Sequence, residues 1–141
     1  MIKEQICAAI GVVGGFIAAV LGGWDTGLQT LVLFMCIDYI TGLIVAGIFH
    51  NSTKTENGAL ESKAGFKGIC KKAVILLIVL MAYRFDMLIH TSYIRDAVII
   101  AFISNESISI IENAGLMGIP MPAQIKKAIE ILTNRAKENE K

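Results

Sequence analysis

Asp38 is the residue whose setting most needs a chemical explanation. It interrupts an apolar run, with LVLFMCI before it and YITGLIV after it. A carboxylate in the middle of a membrane-length segment is expensive unless it is paired, hydrated or protonated. On a helix it shares a face with Gly42 and Ala46, and small residues at that spacing let a second helix come close. Asp38 therefore either lines a water-filled or inter-subunit surface, or serves as a neutral, hydrogen-bonded structural acid. Arg84 and Asp86 stand in a second apolar stretch. Counting depth at ~1.5 Å per residue brings Arg84 within a long side chain of Asp38. An Asp38–Arg84 ion pair is one expectation, and an Arg84 that snorkels to the headgroups is the other. Asp86 is expected to pair with Arg95 across a short turn. Asn105, Ser109, Glu112 and Asn113 recur at i, i+4, i+7 and i+8, with Glu106 beside them, which makes one helix face wettable. Such a face in a membrane needs protein partners or water.

Catalytic arrangements are missing. His50 and His90 stand alone, without HExxH, paired cysteine ligands, GxSxG or a GxxxxGK[ST] phosphate loop. Ser104 and Ser107 lie on a helical stretch where a hydroxyl ordinarily bonds a backbone carbonyl. Cys7, Cys36 and Cys70 are odd in number and fit neither a metal-ligand spacing nor a disulfide framework. No catalytic residue, metal site or cofactor is predicted.

The elements that hold these residues follow from composition. Of 141 residues, 55% are hydrophobic before the 13 glycines are counted, where soluble domains reach about 45–50% with glycine included. Charged residues are 18% against a usual ~25%, and mean hydropathy is +0.64. A soluble chain of this length could not bury so much apolar surface, and disorder is excluded on the same grounds. A net charge of +1 provides no field to attract nucleic acid.

The predicted fold class is an all-α integral membrane protein of three to four spans and a C-terminal amphipathic helix, forming one domain over 1–141. The spans fall at about 5–24, 26–49, 73–91 and 93–111. The first is read as a retained span; a signal peptide competes, but the run exceeds a usual h-region and no A-x-A site follows it. Within it, Gly14, Ala18 and Gly22 form a close-packing ridge that argues for helix association. The fourth span has only one apolar side, which leaves the count open between three and four. The loop over 50–72 carries five Lys against two Glu, among them Lys67, Lys71 and Lys72. Pro120 and Pro122 separate the fourth span from the tail helix at 123–138, which is read as a peripheral cytoplasmic element. Basic loops face the cytoplasm. Four crossings put the 50–72 loop and the basic tail on that same side.

Four motifs in order resemble the phage lysis and toxin-secretion holin family: CIDYITGLIVAG (36–47), LESKAGFKGICKK (60–72), SNESISIIEN (104–113) and GIPMP (118–122). The likeness covers about residues 30–135. It implies a small multi-pass protein of the bacterial inner membrane that homo-oligomerises among lipids. The lesions so formed would release an endolysin or a toxin as cargo, with an antiholin as a candidate partner. The family supplies no catalytic residues. Asp38, Gly42, Lys71, Lys72, Asn105, Glu106, Ser109, Glu112 and Asn113 fall on motif positions. Together with Arg84 and Asp86, the intramembrane members of this set are the pore or oligomer-interface candidates. A small proton-coupled transporter or ion channel with Asp38 as proton site is the alternative, and a non-conducting scaffold is a further one.

Overall fold

A computed structural model describes all 141 residues. It contains five helices and no strand: α1 (Ile2–Val20), α2 (Thr26–Gly47), α3 (Ser62–Ile89), α4 (Ile94–Leu116) and α5 (Ala123–Asn139). Each helix boundary has a local cause. Asp25 opens α2 as its N-cap, its Oδ1 accepting from the Leu28 amide at 3.0 Å, which satisfies one of the donors a helix start leaves free. His90 closes α3 in the left-handed conformation (φ 58°), its amide donating to the Asp86 carbonyl. Gly118, also left-handed at φ 74°, ends α4, and the Ile119 amide reaches back to the Ala114 carbonyl at 2.9 Å. That is a Schellman closure, and the prolines after it prevent α4 from continuing.

Helix α4 is the hub of the bundle, packing against α2, α3 and α5. Helices α2 and α4 run in the same direction, because Asp25 at the start of α2 meets Arg95 at the start of α4, while Asp38 meets Asn113 further along. Helix α3 runs the opposite way. A narrow core of Leu28, Leu31, Met35, Val79, Ile99 and Ile103 fills the space between them.

Most apolar side chains point outward. Only 18 residues are buried, and the accessible surface is 9600 Å². A compact soluble protein of this mass exposes about 7,100 Å². The excess is apolar: Phe16 of α1, Leu33 of α2, and Leu77 and Leu88 of α3 are all more than half exposed. Helices α1 and α2 are long and apolar enough to cross a membrane. Helix α1 has no buried residue, so it is not the core helix of a soluble domain.

Three sequence expectations are corrected here. The polar stretch 50–72 is not a loop throughout, because Ser62–Lys72 forms the first three turns of α3. Helical residues there place their lysines on defined faces rather than in a solvated coil. The ridge Gly14–Ala18–Gly22 ends early: α1 stops at Val20, and Gly22 turns the chain at φ 95°. The tail helix is not held apart by its prolines. It folds back along α4, with Leu132 against the core and Thr133 Oγ1 2.7 Å from Ser104 Oγ.

Candidate functional site

Two polar clusters interrupt the apolar bundle. Along α3 they stand 14 residues apart, from Lys72 to Asp86, or about 21 Å at 1.5 Å per residue.

In the first cluster, Lys72 Nζ sits 2.8 Å from Asp38 Oδ2 and 2.9 Å from Glu106 Oε2. One ammonium from α3 is thus shared by carboxylates from α2 and α4. Both carboxylate side chains are only 8% exposed, against 18% for the lysine. The Asn113 amide adds a second tie between α2 and α4. Its Nδ2 donates to Asp38 Oδ1 at 3.1 Å, to the Asp38 carbonyl at 3.2 Å and to Thr41 Oγ1 at 2.9 Å. No fully buried side-chain oxygen or nitrogen of this network lacks a partner. Taking charges out of water carries a large cost, recovered only when geometry and hydrogen bonding are good. Here three helices each contribute one charge, and the register among them is fixed by that requirement. A cleft of about 310 Å³ opens on the cluster between α2, α3 and the 50–61 segment, bounded by Tyr39, Gly42, Lys54, Glu61, Lys71 and Ser109 among others. Its walls give water a route to charges that otherwise lie inside the bundle.

The second cluster centres on Arg95, itself 5% exposed. Its Nε donates to the Leu21 carbonyl at 2.6 Å, Nη1 to Asp25 Oδ2 at 2.6 Å and Nη2 to the Gly23 carbonyl at 2.9 Å. The planar guanidinium suits this forked set of acceptors in a way an ammonium does not. The hydrogen bonds from Arg95 hold the Asp25 carboxyl below the usual aspartate range, outweighing desolvation. Gly22 is required by this contact. A Cβ there would stand 2.6 Å from Arg95 Nε and 2.8 Å from Tyr83 Cδ2, at a φ that other residues rarely adopt. Asp86 completes the cluster as a cap supplied from another helix. Its Oδ1 accepts from the Ile94 amide at 3.0 Å and from Thr91 Oγ1 at 2.6 Å, and its Oδ2 accepts from the Arg95 amide at 2.9 Å. The first two amides of α4 are thereby satisfied.

Among the residues singled out by sequence, Asp38, Glu106 and Asn113 are brought together, with Gly42 and Ser109 at the cleft. Arg84 is not in this group. It is exposed, and the Asp38–Arg84 pair is replaced by Asp38–Lys72, because α3 begins early enough to bring Lys72 level with Asp38. Asp86 and Arg95 do meet, but through the Arg95 amide, while the guanidinium turns to Asp25. The wettable face of α4 is also different. Asn105 and Glu112 are exposed, and the inward line is Glu106, Ser109 and Asn113 at i, i+3 and i+7. Gly14 has open space around it and Ala18 is half-buried. Lys67 and Lys71 are exposed. The pairing of Arg95 with Asp25 and the structural role of Lys72 were missed, although the long reach of Arg95 and the N-cap position of Asp25 were visible signals.

An all-helical chain with apolar side chains outward and a charged, hydrogen-bonded interior is a membrane protein by construction. The sequence profile of the Bacteriophage holin family matches residues 15–134, and the chain belongs to that family. It is 38% identical over 128 residues to an uncharacterised protein of Listeria monocytogenes, covering 90% of this chain and 86% of that one. A protein of Clostridium perfringens described as an uncharacterised 14.9 kDa protein in the nagH 3' region is 36% identical over 118 residues, covering 82% of this chain and 83% of its own. A probable holin of Bacillus phage phi105 is 27% identical over 106 residues, covering 74% of this chain and 73% of its own. No solved structure matches the chain.

Proposed function

We propose that this protein accumulates in the bacterial cytoplasmic membrane as a multi-pass protein and assembles into permeabilising homo-oligomeric lesions. Helices α1 to α4 cross the bilayer, with the 48–61 loop, the lysine-rich first turns of α3 and the start of α5 on the cytoplasmic side. The lesions pass a cytoplasmic cargo, a peptidoglycan hydrolase or a toxin, and an antiholin is a candidate regulator. The chain does no catalysis.

The single observation that carries this reading is the Asp38–Lys72–Glu106 cluster together with its open cleft. A lipid-embedded bundle that needed only to be stable would gain by replacing three buried charges with apolar residues of similar volume. Charges kept in that position are functional by default. The shared lysine gives the three helices an arrangement that a neighbouring subunit or incoming water can disturb. The same cleft, ending on Asp38, is what the transporter alternative would use as a proton path. Transporters build a discrete selective pocket at the midplane, whereas charge here extends from the cleft to the exposed face of α5.

Expression in a bacterium together with a cytoplasmic peptidoglycan hydrolase lacking its own export signal tests the reading. Turbidity should hold for a delay and then fall sharply. A culture that keeps growing, with both proteins present at full level, contradicts it.

A further inference from the structure

Helix α5 is docked where its charges have no business facing lipid. Thr133 Oγ1 lies 2.7 Å from Ser104 Oγ, and Ser104 is 10 residues into α4, about 15 Å from its start. Leu132 packs against the core cluster, and Ile129 and Ala136 are half-buried on the same side. The helix therefore runs beside the middle of α4, antiparallel to it, rather than beyond its cytoplasmic end. Its other side carries Lys127, Glu130, Asn134, Lys137 and Glu138, all exposed. These positions follow i, i+3, i+7, i+10 and i+11 spacing and form one continuous stripe.

In hydrocarbon, such a stripe would cost far more than three half-buried apolar side chains and one hydroxyl pair return. A single protomer surrounded by lipid offers no water to the outward face of a helix docked there. There, α5 belongs at the headgroup interface, where marginal amphipathic helices rest. A ring of protomers enclosing water does offer it. We propose that the docked α5 is the lumen lining of the assembled lesion, its Lys127–Glu138 stripe facing water and its Leu132 side held on α4. Docking and assembly are then coupled, since each protomer's charged helix becomes tolerable at that depth only once others close the ring. The mixed signs along the stripe make the lumen weakly selective between cations and anions. This inference rests on the lesion-forming reading above.

A reversible tether tests it. Ser104→Cys and Thr133→Cys are introduced with Cys7→Ser, Cys36→Ser and Cys70→Ser. The chain is reconstituted in vesicles of phosphatidylethanolamine and phosphatidylglycerol loaded with a fluorescent dye, and is oxidised with copper phenanthroline. The expected result is a high yield of cross-link, with dye release within about two-fold of the reduced protein. Release that disappears on oxidation and returns with reductant overturns the proposal, because α5 must then leave α4. A releasing protein that never cross-links overturns it as well. A second variant, Glu130→Leu with Asn134→Leu and Lys137→Leu, should incorporate normally and lose at least ten-fold in release rate. Unchanged release from it contradicts the proposal. If the unmodified protein releases no dye, the lesion reading itself fails and the inference with it; loss of release on tethering alone leaves that reading standing.

Discussion

Lys72 is one cation between two carboxylates, and this imbalance decides what substitutions do. Removing it with Lys72→Met leaves Asp38 and Glu106 buried without a counter-charge, a change that costs about 3–5 kcal/mol in buried pairs. Thermal unfolding in detergent should show a large loss for Lys72→Met, and an unchanged melting temperature would mean that the cluster is hydrated and structurally idle. Asp38→Asn is predicted to behave differently. The Asn113 amide keeps an acceptor, and Lys72 keeps Glu106 as a balanced partner. Folding should be nearly unaffected while the time to permeabilisation shifts. Asp38 was legible in the sequence because a carboxylate among apolar residues stands out. Lys72 was not, because KGICKK, with Gly68 inside it and Gly65 just before, reads as a polar loop until the helix is known to begin at Ser62. Without that boundary, Arg84 was the nearest cation to offer.

At the scale of elements, the existence of the helices was readable from apolar run length and periodicity, but the start of α3 and the helices' partners were not. Apolar length says that α1 and α2 exist. It does not say that Arg95 binds the turn between them, since those contacts span 70 to 74 residues of sequence. Likewise, Gly22 carries the same letter as the glycines of α1 but serves the turn, a distinction that depends on backbone φ rather than spacing. The Arg95–Asp25 contact predicts a pH response. Asp25 is held below the ordinary carboxylate value of about 3.9, so its contribution to stability is complete above that value. It is lost as pH falls through the lower folded-state value. The melting temperature of the wild type should therefore converge on that of Asp25→Asn only below about pH 4. Convergence already at pH 6 would assign the effect to another group. Helix α3 supplies a test of orientation. Cys70 is exposed beside Lys71. With Cys7→Ser and Cys36→Ser in place, an impermeant thiol reagent should miss it in intact cells before permeabilisation and label it in inverted vesicles. Labelling from outside intact cells would reverse the topology.

At the scale of the whole molecule, the chain presents apolar side chains to its surroundings and concentrates charge in two internal clusters and on α5. Family membership agrees with that distribution. So does the shape of α4, which holds α2, α3 and α5 together while α1 stands free of the bundle. Lipid satisfies the unpartnered apolar helix α1, but the charged stripe of α5 docked on α4 finds no water in a lone protomer. On the proposed reading, assembly supplies that water, and it is cooperative because each subunit's charged face needs the others. Permeabilisation should therefore be abrupt rather than proportional to the amount of protein. The most direct measurement is the membrane potential of single bacterial cells, followed with a voltage-sensitive dye while membrane levels of the protein are quantified. The predicted trace is a normal potential through a delay of steady accumulation, followed by sudden collapse. A potential that stays normal at full membrane level, or declines in proportion to protein from the start, would contradict the account.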